Sequence, residues 1–350
     1  MSSIRRHWVQ RFLAAALVAV PALASCQRPT GTRAPVSFGV NPTRANLPTV
    51  SLLVPPDERL VPLVTQLRLE LENEVNVVVT PVSEGVTSPI DVGDTIARAG
   101  AKAVILVNNS AARLYRDWSR TQASPPASII LLASFAERLH ATIANSTAIA
   151  YEVPAVTSLT GLRTLGVKVD QAGVIYRSKF RDYVEDQRKL AGVEKIPFVV
   201  RELDDVPHVR DLKAAIVELS RSGVDVLWLP NDNALLTRQL VQEAWLPYLE
   251  RFRLPVVVGV PSLVRADANF GTYAAIPDME ALAIQAADLL FEIMEDDWSV
   301  TGHGVTLPVS VKTYVAPQLG QRYGMQQTTL QNVDVIVGDE ALSTRGKAGR

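Results

Sequence analysis

Three polar side chains in succession, Asn231, Asp232 and Asn233, occupy the place where a short apolar run, Val224 to Leu229, stops at Pro230 and a helical pattern begins. In an open α/β sheet such strand-to-helix handovers line the crevice where ligands bind. The amides there both donate and accept hydrogen bonds, the carboxylate can take an amine or hydroxyl, and the free N–H groups of a first helical turn suit an anion. Asp278, after Pro277, repeats the pattern with a second carboxylate. Asn109 and Ser110 follow one apolar run, Ser134 another, and Tyr151 beside Glu152 a third. These are the candidate ligand contacts. Asn, Asp and Ser are also preferred helix N-caps, so capping is the alternative role for each of them. For Tyr151 the alternative is packing at a chain crossover.

This is hydrogen-bonding chemistry and not bond-breaking chemistry. His7, His140, His208 and His303 fall in unrelated patterns without metal-ligand spacing. No Gly-x-Ser-x-Gly elbow, phosphate-binding loop or Gly-rich dinucleotide turn is present. Asp204-Asp205 and Glu295-Asp296-Asp297 lie in polar stretches and read as solvated loops. The sequence therefore predicts no catalytic residue, no metal and no cofactor. A formal net charge of −1 excludes the basic excess that would hold a nucleic acid.

The elements that must position the candidates alternate regularly. Apolar, often β-branched runs are predicted as strands at Val50 to Val54, Val75 to Val79, Ala103 to Val107, Ser128 to Ala133 and Thr147 to Tyr151. Amphipathic patterns between them predict helices at Glu58 to Asn73, Gly93 to Arg98, Ala111 to Trp118 and Phe135 to Ala144. After Pro154 the series restarts, with strands at Ala172 to Tyr176, Pro197 to Arg201, Val224 to Leu229 and Pro255 to Val260. Helices are predicted at Lys179 to Ala191, Val209 to Ser222 and Ala234 to Arg251. Strand and helix in alternation give parallel sheets. Two such series predict two doubly wound α/β lobes.

A third stage, strand Phe270 to Ile276, helix Asp278 to Met294 and strand Val305 to Thr313, takes the chain back across twice. A three-strand hinge results, with crossovers expected near Pro154, Pro261 and Gly302. The predicted division is 49–155 plus 265–300 for the N-terminal lobe, 156–264 plus 301–325 for the C-terminal lobe, and 326–350 as an extension.

The N-terminus reads as a processing segment. Arg5, Arg6 and Arg11 precede an apolar core, Phe12 to Ala24, which is shorter than the roughly 20 residues a mature span needs. It ends in Leu23-Ala24-Ser25-Cys26, which resembles the lipobox of bacterial lipoproteins. Residues 1–26 are thus expected to be a signal peptide, with Cys26 lipidated as the mature N-terminus and 27–48 a flexible spacer. Cys26 is the only cysteine, which leaves no intramolecular disulfide. Such a chain is expected in the cell envelope, held to the membrane by its lipid on the periplasmic or extracellular side.

From Gly166 to Met325 the chain resembles the lipoprotein-type substrate-binding proteins of ABC transporters, the family that includes tryptophan- and tyrosine-binding members. Ala172-Gly173-Val174-Ile175-Tyr176 is similar to that family's first strand of the second lobe, and Leu254 to Gly259 to a later one. Gly223 to Asn233 resembles its strand ending in Pro-Thr-Asp-Asn, with Asn231 in place of the threonine. Asp278 to Leu290, containing Gln285-Ala286-Ala287, resembles the helix after the last ligand loop, and Asn108 to Ala112 a small-polar loop of the first lobe. The resemblance implies the periplasmic-binding-protein type I fold, a small polar solute held between the lobes, and an ABC transporter permease as partner. The chain departs from the family's Ser-Tyr-Gly with Ala274-Ala275-Ile276-Pro277, and its loop after the first strand reads Pro55-Pro56-Asp57. Those departures support an alternative, an envelope lipoprotein of the same fold with a degenerate cleft that regulates or binds another protein.

Overall fold

Five apolar runs form the first sheet: β1 (Thr49–Val54), β2 (Asn76–Pro81), β3 (Ala101–Val107), β4 (Ala127–Leu131) and β5 (Ser146–Ala148). All pair in parallel in the order β2-β1-β3-β4-β5. The central strands are buried on both faces, which is why they read as continuous apolar runs rather than alternating ones. The computed structural model describes residues 44–337 apart from 266 and 267. The leader with Cys26, the spacer as far as residue 43 and the tail from 338 onward lie outside the described residues.

Helices cover both faces of this sheet. α1 (Val61–Leu71) lies on one face; α2 (Pro89–Ala99) and α3 (Asn108–Ser119) lie on the other, and α4 (Ala136–His140) follows β4. α2 starts at a capping box, in which Ser88 accepts from the Asp91 N–H and Asp91 accepts from the Ser88 N–H, and stops at Gly100 with φ 59°. The chain then leaves the lobe and begins α5 (Ala155–Thr164).

The second sheet repeats the strand order of the first and extends it. β6 (Ala172–Arg177), β7 (Phe198–Leu203), β8 (Val226–Trp228), β9 (Val256–Val258), β10 (Tyr273–Pro277), β11 (Val311–Val315) and β12 (Val335–Ile336) are arranged β12-β11-β10-β9-β8-β6-β7. Only β10 and β11 run antiparallel. α6 (Arg181–Val193) and α7 (Val209–Arg221) follow β6 and β7, and α8 (Arg238–Leu240) and α9 (Leu246–Phe252) lie between β8 and β9. α10 (Met279–Glu295) returns to the first lobe, and α11 (Pro317–Arg322) precedes β12. On α10, Leu282, Ala283, Ala286 and Leu290 share a core with Leu63 and Leu67 of α1, the alanines allowing close approach.

Three segments join the lobes, and the third bonds to each of the other two. The Ala150 N–H donates to Thr306 O at 2.8 Å, the Thr306 N–H to Ala148 O at 3.0 Å, and the Asp278 N–H to Ser310 O at 3.0 Å. The expected three-strand hinge is present, with its middle crossing moved. β10 pairs with β9 and β11, and Tyr273 and Ala274 are buried in the second lobe, so the chain returns at Pro277–Asp278 and not near Pro261. Accordingly 268–277 lie with the second lobe and not the first. Residues 327–337 are no separate extension either: Leu330 is buried in that lobe's core and β12 pairs with β11.

Two helices depart from expectation for local reasons. Ala234 does not open a helix; the helical stretch starts at Arg238, capped by the Thr237 hydroxyl, which accepts from the Leu240 N–H. It widens to a π turn over Val241–Trp245, where Pro247 removes the N–H that would have closed a regular turn. α5 was missed because its sequence mixes β-branched residues, Ser and Gly. Its buried face, Ala155, Ser158, Leu159 and Leu162, has helical spacing, and Gly161 lets the Tyr273 hydroxyl approach the backbone.

Candidate functional site

In both lobes the strand order changes direction beside the first strand, so the ends of β1 and β3, and of β6 and β8, form the switch points where α/β proteins bind ligands. The backbone is strained there. Asn108, Leu132 and Phe135, all just past β3 or β4, have φ of 73°, 53° and 56°, a region that costs a bulky side chain about 1 kcal/mol or more. At Asn108 the side chain compensates, its Oδ1 accepting from the Ser110 N–H at 2.8 Å and the Ala111 N–H at 3.3 Å. Asn108 therefore caps α3 and leaves Asn109 free for another role.

That role begins a polar chain across the hinge. Asn109 Nδ2 donates to Ser134 O and its Oδ1 accepts from the Ser134 N–H, both at 2.9 Å. The left-handed turn at Phe135 aims the next N–H at the Glu152 carboxylate, 3.1 Å from each oxygen. The side-chain amide of Asn231, in the second lobe, lies near enough to Glu152 to favour its charged form. Asn231 lies against Gly259, whose missing Cβ makes room for its amide. The Tyr151 hydroxyl donates to Gly259 O at 3.0 Å and closes the circuit. Burial pushes the Glu152 carboxyl up to about 7, against the pull of the Phe135 N–H and Asn231 bonds; Glu137 nearby adds to the rise. Burial likewise raises the Tyr151 phenol to about 12, with Glu152 contributing.

The structure brings Tyr151, Asn231, Glu152, Tyr183 and Trp228 around a cavity of about 20 Å³ at the base of the gap between the lobes. That is room for one water. A larger cavity of about 420 Å³ opens beside it, with Glu152 and Tyr183 lining both.

The remaining candidates have protein partners. Asp232 is 3% exposed and takes both bonds from Arg177, at 2.6 Å from Nε and 2.5 Å from Nη2. Arg177 donates its remaining nitrogen to Asp205 O at 2.7 Å, so one guanidinium at the end of β6 ties down the ends of β7 and β8. Asp278 caps α10, accepting from the Glu280 N–H at 3.1 Å, and pairs with Lys312 at 3.0 Å. The Ser110 hydroxyl donates to Glu84 at 3.0 Å, and Asn233 is solvent-exposed. Sequence reasoning missed Arg177 and gave Glu152 no role of its own. A charged residue ending an apolar strand, and one directly before the first crossover, were the available signals.

An aromatic bridge flanks the gap. Phe135 of the first lobe stacks on Phe180 at 4.5 Å and meets Tyr183 edge-on at 5.2 Å. Arg138 donates to Lys179 O at 2.8 Å with its guanidinium 5.4 Å from the Phe180 ring.

No family model and no curated relative matches the chain. Among solved structures it is similar to the ligand-free, open form of a Clostridium difficile substrate-binding protein with adhesive properties, with a TM-score of 0.63 and 12% identity over 83% of this chain and 99% of that one. This is the periplasmic-binding-protein type I fold. A Streptococcus pneumonia ABC domain in complex with L-Trp has the same fold at a TM-score of 0.50 and 14% identity, over 83% of this chain and all of that one. A conserved domain protein of Vibrio cholerae follows at 0.51 and 11%, over 83% and 99%.

Proposed function

We propose that this chain is the substrate-binding component of an ABC transporter, tethered through a lipid on Cys26 on the outer side of the membrane, and that it holds a small solute between its lobes for delivery to a permease. The observation that carries this reading is the hinge. Two lobes of the same strand order are joined by three crossings, the third bonded to each of the other two, with polar side chains of both lobes converging beside them. Opening and closing about such crossings is how a solute can be admitted and then enclosed. Closure needs a ligand with higher affinity for the closed form, which the transporter can then distinguish from the open one.

Thermal denaturation of the full chain against amino acids, amines, sugars and aromatic acids tests the reading. A true ligand at 100 times its Kd adds about 2.7 kcal/mol of stability, and a flat response to every class rejects solute capture. The aromatic bridge of Phe135, Phe180 and Tyr183 favours a second reading, in which the lobes stay together and the lipoprotein serves as a regulator or protein-interaction module. In that case no small molecule changes the melting temperature.

A further inference from the structure

The cavity of about 420 Å³ next to the hinge falls within the usual size of small-molecule sites. Its walls come from both lobes and from two of the crossings: Phe135 and Glu137 at the start of α4, Glu152 on the first crossing, Leu307 on the third, and Asp182 and Tyr183 on α6. The charge balance is one-sided. Glu137, Glu152, Asp182 and Asp186 face Arg138 as the one cationic lining residue, and Arg138 is engaged with Lys179 O and the Phe180 ring. Asp186 has Lys189 at 2.9 Å. Among the described residues, neither Glu137 nor Asp182 makes a side-chain hydrogen bond or ion pair.

Glu152 stands apart from these surface carboxylates. It is largely buried where the lobes meet, its carboxylate accepts from the Phe135 N–H, no ion pair is formed to it among the described residues, and Glu137 nearby adds like charge. A buried carboxylate without a counter-charge is costly, and fold maintenance does not call for one here: a Gln in its place could accept from the Phe135 N–H equally well. A positively charged ligand would supply the counter-charge. Phe135 and Tyr183, which meet edge-on at the cavity wall, add the aromatic surface that favours a cation.

We infer that this cavity takes an organic cation, an amine, guanidine or quaternary ammonium compound, with its charged end at Glu152 and with Glu137 and Asp182 at the mouth. This rests on the solute-binding reading above and narrows it to a substrate class.

Isothermal titration calorimetry of the full chain at pH 8 with putrescine, agmatine and choline, beside leucine, ribose and benzoate, tests the inference. At least one cation should bind at micromolar Kd, and Glu152→Gln should weaken it at least tenfold. Asp182→Asn should weaken it two- to fivefold; that side chain is exposed and unpaired, so this variant keeps the fold whatever Glu152→Gln does. Binding of leucine, ribose or benzoate without binding of any cation would overturn the cation class and leave solute capture standing. Cation binding unchanged in both variants would place it elsewhere and overturn the site. A null response to all six probes would overturn the inference, whereas solute capture as such falls only if the wider thermal panel is flat as well.

Discussion

Acidification should stabilise this protein through one residue, and Glu152→Gln isolates the effect. In the folded chain burial raises the Glu152 carboxyl from its ordinary 4.5 to about 7. The native state thus holds this proton more tightly than the unfolded chain does. The resulting stability is fully present below the unfolded value and is lost as pH rises through the folded one. With those two values the contribution is close to zero at pH 8 and about 2.5 kcal/mol at pH 5. Among the groups around Glu152, Glu137 on α4 opposes its ionisation by like charge, the Phe135 N–H and the Asn231 amide favour it, and the raised Tyr151 and Tyr183 phenols stay neutral throughout this range and add no charge. Other carboxylates move the opposite way. Asp91, Glu185 and Glu202 are held low by hydrogen bonds from Ser88, Arg188 and Arg181 and lose their stabilisation in acid. They are common to both proteins and cancel in the difference. Urea denaturation of wild type and Glu152→Gln at pH 8 and pH 5 should therefore show the wild-type advantage growing by about 2.5 kcal/mol on acidification. Parallel stability at the two pH values would refute the claim that burial keeps this carboxyl protonated.

Two further outcomes follow from the geometry of the lobes and a third from the sequence of the leader. Arg177→Met or Asp232→Asn alone leaves one buried charge uncompensated and should cost about 3–5 kcal/mol in chemical denaturation, whereas replacing both by apolar residues should cost far less. Gly259→Ala places a methyl group on the Asn231 amide and should cost about 1–3 kcal/mol while abolishing ligand-induced stabilisation, read by thermal shift. Cys26→Ser should release the protein from the membrane fraction and abolish palmitate labelling, read by cell fractionation.

The alternation of strand and helix was legible because strands buried on both faces must be continuous apolar runs, and Val50–Val54 or Ala103–Val107 could be little else. What such a run does not encode is which sheet it joins. β10 was recognised as a strand, but only its pairing with β9 and β11 assigns it to the second lobe. Helix ends were legible where the cap is local, as at Asp278, and illegible where a distant residue intervenes. Asp232 looks like a cap in sequence; 55 positions away Arg177 takes it, and Thr237 does the capping instead. The site divides in the same way. Tyr151 and Asn231 were candidates because they follow apolar runs, while the environment of Glu152 is made by Phe135, Asn231 and Glu137, which come from separate parts of the chain.

That convergence also specifies what opening the hinge must break. Tyr151 and Glu152 sit on the first crossing, and their partners Gly259 and Asn231 sit past β9 and β8 in the second lobe. Separating the lobes there would cost the Tyr151 bond to Gly259 and take the Asn231 amide away from Glu152, admitting water to the carboxyl. Hydration then removes the penalty that keeps Glu152 protonated, so the open form favours its anion and the closed, empty form its neutral acid. A cation that follows the solvent in would pair with the anion and allow the lobes to close over an ion pair. On the proposed reading, proton uptake and cation uptake are alternative ways of closing the same gap, and a ligand that left Glu152 uncompensated would have no hold on the equilibrium.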